Sequence, residues 1–175
     1  MANENRAEGA TRETPVYYDG FQLAETRRTL PIALLRSREA VMELFRPMLR
    51  KYDVTEQQWR VIRVLFEAGS LDASKLAEAA CVLPPSLTRI LKALETRSLI
   101  VVSKDPADRR HTIVQLSDEG KALIRTASKD SVAIYNEIEA LLGRDRIQAL
   151  LNDLEFVLDT LSERAKSEDG PGAAA

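Results

Sequence analysis

The 175-residue chain contains one cysteine, one histidine and one tryptophan. With a single thiol, Cys81, no disulfide forms within the chain, which fits a reducing compartment and places the expected location in the cytoplasm. One cysteine and one histidine also fall short of a zinc site, and neither metal nor cofactor is expected. No apolar run approaches the about 20 residues that a membrane span needs. The start, MANENRAEGATRETP, lacks the basic residues and apolar stretch of a secretory signal. There is no phosphate loop and no nucleophile–base pair, since His111 stands alone, so an enzyme is not expected.

What is present is a soluble, globular balance: 45% hydrophobic and 30% charged residues. That length allows one domain with extensions. The formal net charge is −2, but its distribution is uneven. Residues 86–111 carry six basic side chains against three acidic ones, whereas residues 112–175 carry seven against twelve. A locally basic segment in an acidic protein suits a polyanion approached from one side. The alternative is uneven surface charge without a partner.

Residues 1–28 read as a flexible polar arm, with Tyr17, Tyr18 and Phe21 available to dock on something apolar. A helix is predicted from about 30 to 51, with the stripe Leu35, Arg38, Met42, Phe45, Leu49 and with Pro47 kinking it or shifting its end. In TEQQWRVIRVLFEAG, Thr55 and Gln58 form a capping-box pattern, Trp59, Ile62, Leu65 and Phe66 make the buried face, and Gly69 ends the helix. A short helix follows at roughly 73–80 and a longer one from about 84 to 97, with prolines at its start, where they are tolerated. LIVVSKDPADRRHTIVQL reads as strand, polar turn, strand. Ser117 caps the first of two long helices, 117–142 and 144–165, and the tail 166–175 is predicted disordered.

Tightly joined helices followed by a two-stranded ribbon make a winged helix-turn-helix. The expected fold is therefore mostly α with a small β-wing. The helix starting at 84 fits the major groove of DNA, N-terminal turn first. Pro85, Ser86, Thr88, Arg89 and Lys92 are the candidate contacts there, with Arg89 able to pair bidentately with guanine and the helix dipole favouring phosphate. Lys104, Arg109 and Arg110 belong to the wing. One arginine of the pair is expected in the adjacent minor groove, and the other held by Asp105 or Asp108, which stiffens the loop. The alternative is a solvated charged turn.

At this point the chain resembles a known family. LPPSLTRILKALETRSLIVVSKDPADRRHTIVQLSDEG is similar to the core of MarR-type transcriptional regulators. LPIALLRSREAVMELFRPML and TEQQWRVIRVL resemble more narrowly the homoprotocatechuate-degradation operon repressor branch. The resemblance covers about residues 30–160. It implies a repressor acting as a homodimer on a pseudo-palindrome of double-stranded DNA, with 29–52 and 118–165 as the helical dimerisation region and 53–117 as the DNA-binding lobe. It also implies an aromatic-acid effector of the 4-hydroxyphenylacetate type. A neighbouring branch with the same motifs controls an efflux pump and answers antibacterial fatty acids. Ser98 departs from the pattern: the family usually has glycine there, so the wing leaves at a slightly altered angle.

The residues themselves also point to a dimer, because a chain this small cannot cover the apolar stripes of both its first and last helices. Arg38 lies on the first stripe, and a guanidinium buried there needs an anion. That anion is either a carboxylate ligand, with Trp59 as an aromatic wall, or Glu39 or Glu43 in an internal ion pair, with Trp59 as plain core. Arg60, Arg63 and Glu67 share a solvated face on which Arg63 and Glu67 pair. Cys81, beside Val82 and Leu83, is expected to be a buried, inert thiol, since the peroxide-sensing cysteines of some relatives lie near the start of the first helix. His111 is either structural or a phosphate contact. A winged helix that binds protein instead of DNA keeps the fold but has no need of Arg89 and the Arg109–Arg110 tip.

Overall fold

The computed structural model describes residues 16–18, 21–23, 28–104, 108 and 110–168. It divides into two compact units, Met1–Leu44 and Phe45–Ala175.

The first unit contains a hairpin of β1 (Val16–Tyr18) and β2 (Phe21–Leu23), paired antiparallel with Val16 opposite Leu23 and Tyr18 opposite Phe21. Regular structure here departs from the flexible arm expected for residues 1–28. The signal was in the sequence: Asp-Gly between two aromatic-rich runs is a two-residue hairpin composition. The unit also holds the first two-thirds of α1 (Leu30–Lys51). Pro47 does not end this helix, which continues to Lys51.

The second unit is built on α2 (Glu56–Ala68), β3 (Ser70–Asp72), α3 (Ala73–Ala79), α4 (Pro84–Thr96), β4 (Ile100–Lys104), β5 (Thr112–Leu116), α5 (Asp118–Leu142) and α6 (Arg144–Glu168). Local chemistry sets the helix ends. Thr55 and Gln58 form the reciprocal capping box of α2. Gly69 closes that helix at φ +77°, a conformation glycine adopts without steric cost. Asp72 caps α3 through Ser74 N, and Ser117 caps α5 through Gly120 N.

The sheet has the order β3-β5-β4, so β5 is central. Leu71 faces Val114, and Val114 faces Val102 in register. Val61, Ile62, Leu65, Leu76, Leu94, Val114 and Ile124 form the centre of the core. Gly120 is needed for close approach: a Cβ there would lie 2.0 Å from the Leu99 carbonyl oxygen. α6 differs from the other helices, because none of its described side chains is buried.

Candidate nucleic-acid interface

The amphipathic spacing of α4 separates its two faces. Leu87, Ile90 and Leu94 are buried, which turns Pro85, Thr88, Arg89 and Lys92 outward; Ser86 is half-buried at the helix start. The Thr88 hydroxyl donates to the Pro84 carbonyl (3.3 Å), so only its acceptor capacity is left uncommitted by that bond. Arg97 contributes to the local positive charge but is turned inward. Its guanidinium donates to the carbonyls of Asp53 and of Tyr52 (3.3 Å), joining the end of α4 to the turn after α1.

The turn before α4 is held by Arg60, whose Nη1 donates to the carbonyls of Ala80 (3.0 Å) and Cys81 (3.2 Å). Arg60 was expected on a solvated face; its tether to this turn is a tertiary contact that periodicity does not show. Arg63 and Glu67 pair at 3.1 Å, as their spacing predicts. Cys81 is exposed, contrary to the buried thiol expected. The chain takes a left-handed step there (φ +49°), so Val82 turns into the core while Cys81 and Leu83 face out.

At the wing, Arg110 is held by Asp108. Its Nε and Nη2 donate to both Asp108 carboxylate oxygens at 2.8–3.1 Å, and its backbone N–H donates to Oδ1 at 3.0 Å. These bonds hold the Asp108 carboxyl below its ordinary range and raise the Arg110 guanidinium. Arg109 and Asp105 lie outside the described residues. Lys104 Nζ donates to Thr112 Oγ1 across the ribbon (3.2 Å).

His111 is structural in this arrangement: its Nδ1 lies 3.0 Å from Asp72 Oδ2. Asp72 therefore caps α3 and anchors the wing base together, and the Ser74 N–H, then His111, lower its carboxyl from the usual value. Sequence reading missed Asp72. An aspartate just before a helical pattern signals the cap, but nothing local signals the wing contact.

The effector candidates fall in different units. Arg38 is in the first, its side chain 44% exposed and paired with Glu39 at 2.5 Å. The burial expected of it does not hold in the single chain, because Leu34, Leu35 and Val41 around it are exposed too. Trp59 is in the second unit and buried at 6% exposure. Among the described residues no cluster of His, Cys, Asp or Glu has the makings of a metal site, and no helix is long and apolar enough to cross a membrane.

The sequence model of the MarR family matches residues 54–112, from the start of α2 to the wing. The HTH-type transcriptional regulator FarR of Neisseria gonorrhoeae is 43% identical over 141 residues, 81% of this chain and 92% of its own length. The chain belongs to the MarR family. It is a winged-helix transcriptional repressor of that type, a family of DNA-binding regulators and not of enzymes. The homoprotocatechuate degradative operon repressor of Escherichia coli is 40% identical over 82% of this chain and 96% of its own. Among solved structures, NadR in complex with 4-hydroxyphenylacetate superposes with a TM-score of 0.68 at 40% identity, covering 79% of this chain and 97% of that one. CouR bound to a 23-mer DNA duplex superposes at 0.69 with 30% identity, covering 79% and 99%.

Proposed function

We propose that this MarR-type protein is a ligand-responsive homodimeric repressor of an aromatic-acid catabolic operon, released from its promoter by an aromatic carboxylate. The observation that carries the DNA half is the outward face of α4, where Arg89 and Lys92 are exposed next to a wing whose Arg110 is fixed by Asp108. The dimer sets two such helices in successive major grooves about one helical turn apart. In the wing, Arg109 is the arginine for the minor groove and Arg110 the one that stiffens the loop. Cover of the promoter blocks transcription.

Dimerisation through 29–52 and 118–165 is supported by what the single chain leaves uncovered. In the second unit, Phe156 is 71% exposed and Leu158 64%, and Leu150, Leu151 and Leu161 are exposed on the same helix. In the first, Leu30, Leu34 and Leu35 are exposed. Apolar surface on this scale marks an interaction face, and burial of each leucine is worth about 1.5–3 kcal/mol.

The effector class is supported by the named relatives: a 40%-identical operon repressor for homoprotocatechuate degradation and a 40%-identical regulator crystallised with 4-hydroxyphenylacetate. Arg38 is assigned to the carboxylate, whose planar fork it matches. The ligand releases DNA only by binding the released state more tightly than the DNA-bound one.

The test is to incubate the protein with fragmented DNA of its source genome, with and without 4-hydroxyphenylacetate, and to sequence what is retained. One aromatic-catabolic promoter, lost with ligand, is the expected result. An efflux promoter indifferent to that acid would transfer the protein to the second reading, a regulator answering a fatty acid or another amphipathic effector, which the 43% identity to FarR keeps in view. Arg38→Ala is expected to keep DNA binding and lose the response; a full response in that variant would overturn the carboxylate assignment.

A further inference from the structure

The start of α4 is built differently from the starts of α2, α3 and α5. Those three begin on Thr55, Asp72 and Ser117, each with a side-chain oxygen accepting a backbone N–H. α4 begins on Leu83, which makes no side-chain capping bond. Its first two helical positions are Pro84 and Pro85, which have no N–H to offer. The N–H of Leu87 is already used by the Leu83 carbonyl at 2.9 Å. Of the first three helical positions only Ser86 therefore carries a backbone donor, so the helix dipole remains but direct N–H bonding to a phosphate at those three positions is limited to one group.

This helix start also presents apolar surface. Leu83 is 75% exposed, the largest exposure among the large hydrophobic residues in the described winged lobe, and Pro84 and Pro85 are exposed beside it. Of the exposed residues that follow on the same helix, Arg89 and Lys92, nearer the tip, are cationic, Thr88 and Thr96 are neutral, and Glu95, in the last turn, is anionic. An apolar tip leading a cationic helix face fits a polyanion that carries apolar groups at the depth the tip reaches. In the major groove the base edges present donors, acceptors and one apolar group, the 5-methyl of thymine.

We infer that Leu83 reads operator sequence by packing against a thymine 5-methyl group in each half-site. This rests on the DNA-binding reading above and gives that reading a base preference at a defined place. Loss of one methyl-sized contact, about 0.8 kcal/mol, corresponds to about a four-fold loss of affinity per half-site.

The test uses the full-length protein and a duplex taken from the genomic enrichment. Each thymine is replaced in turn, symmetrically in both half-sites, by deoxyuridine, which keeps every hydrogen-bonding group and removes only the methyl. Binding is measured by fluorescence anisotropy at fixed salt. The expected result is one symmetric position where uridine weakens wild-type binding by about sixteen-fold over two half-sites. Leu83→Ala and Leu83→Ser are expected to bind thymine and uridine duplexes equally there. Leu83→Ser also supplies a capping hydroxyl, so its thermal stability is expected to rise while the thymine preference vanishes, an outcome that poor folding cannot produce. Wild-type binding insensitive to uridine at every position overturns the inference and leaves DNA binding standing, as does a thymine preference that persists in Leu83→Ala. If no duplex is retained at all, the DNA-binding reading falls and this inference falls with it.

Discussion

Replacing Ser98 by glycine is expected to stabilise the protein. Ser98 is the left-handed residue that ends α4, at φ +57°. Its N–H donates to the Glu95 carbonyl (2.8 Å) and the next N–H, of Leu99, reaches back to Leu94 (2.9 Å). This pair of bonds is the Schellman motif, in which the left-handed position normally belongs to glycine. Leu94 and Leu99, both buried, supply the accompanying apolar contact. The geometry is held further by the Ser117 hydroxyl, which donates to the Ser98 carbonyl at 2.6 Å. A side chain in this conformation costs about 1–2 kcal/mol. Glycine removes that cost but gives the unfolded chain more freedom, worth about 0.4–1 kcal/mol in the other direction. The net expectation is a gain of about 0.5–1 kcal/mol, or about 1–4 °C in Tm for a chain of this size. Urea and thermal unfolding of wild type, Ser98→Gly and Ser98→Ala measure it. The alanine variant keeps the Cβ and is expected to stay within about 0.5 kcal/mol of wild type. A glycine variant no more stable than wild type would refute the reasoning, because the left-handed strain is the whole basis of the gain.

Gly120→Ala is expected to have the opposite effect, since its Cβ would meet the backbone oxygen of Leu99 at 2.0 Å; a loss of about 3 kcal/mol by urea unfolding checks it. Arg109→Ala is expected to reduce the slope of log affinity against log salt by about 1, whereas Arg110→Ala, whose charge is shared with Asp108, reduces it by less; equal changes would show that the wing clamp does not bias which arginine meets DNA. The carboxyls of Asp108 and Asp72 have lowered pKa values, so their contribution is complete above the ordinary carboxylate value of about 4 and is lost only as pH falls through the lowered folded values. The side-chain carboxyl carbons of Asp72 and Asp108 followed by NMR are therefore expected to report protonation midpoints below the ordinary value of about 4; a midpoint at or above it contradicts the assignment of these ion pairs.

The winged lobe was legible wherever its determinants are local. Thr55 with Gln58, Gly69, Ser117 and the prolines opening α4 act within one helical turn, so their spacing alone placed four helix boundaries. The spacing of Leu87, Ile90, Leu91 and Leu94 likewise predicts which face of α4 turns outward; Leu91 is only half-buried, the other three are buried, and Arg89 and Lys92 are exposed. β3 was not legible. Three residues, Ser-Leu-Asp, carry no period, and only pairing with β5 makes them a strand. The same is true of side chains whose partners are distant in sequence. Arg97 finds carbonyls 44 and 45 residues away, Arg60 finds two carbonyls beyond α3, and His111 finds Asp72 39 residues back. Composition counts the charges of Arg97 and Arg110 as available to DNA, and the tertiary structure commits both elsewhere.

By itself, the sequence determined the helices, the wing and the outward cationic face, because periodicity and caps are interactions between neighbours along the chain. The tertiary structure decided that Arg110 of the wing is held by Asp108, that Cys81 faces solvent and that Arg38 pairs with Glu39 on the exposed N-terminal part of its stripe. Periodicity says which residues share a face. What covers that face depends on chain segments, or on a second chain, that its spacing does not encode.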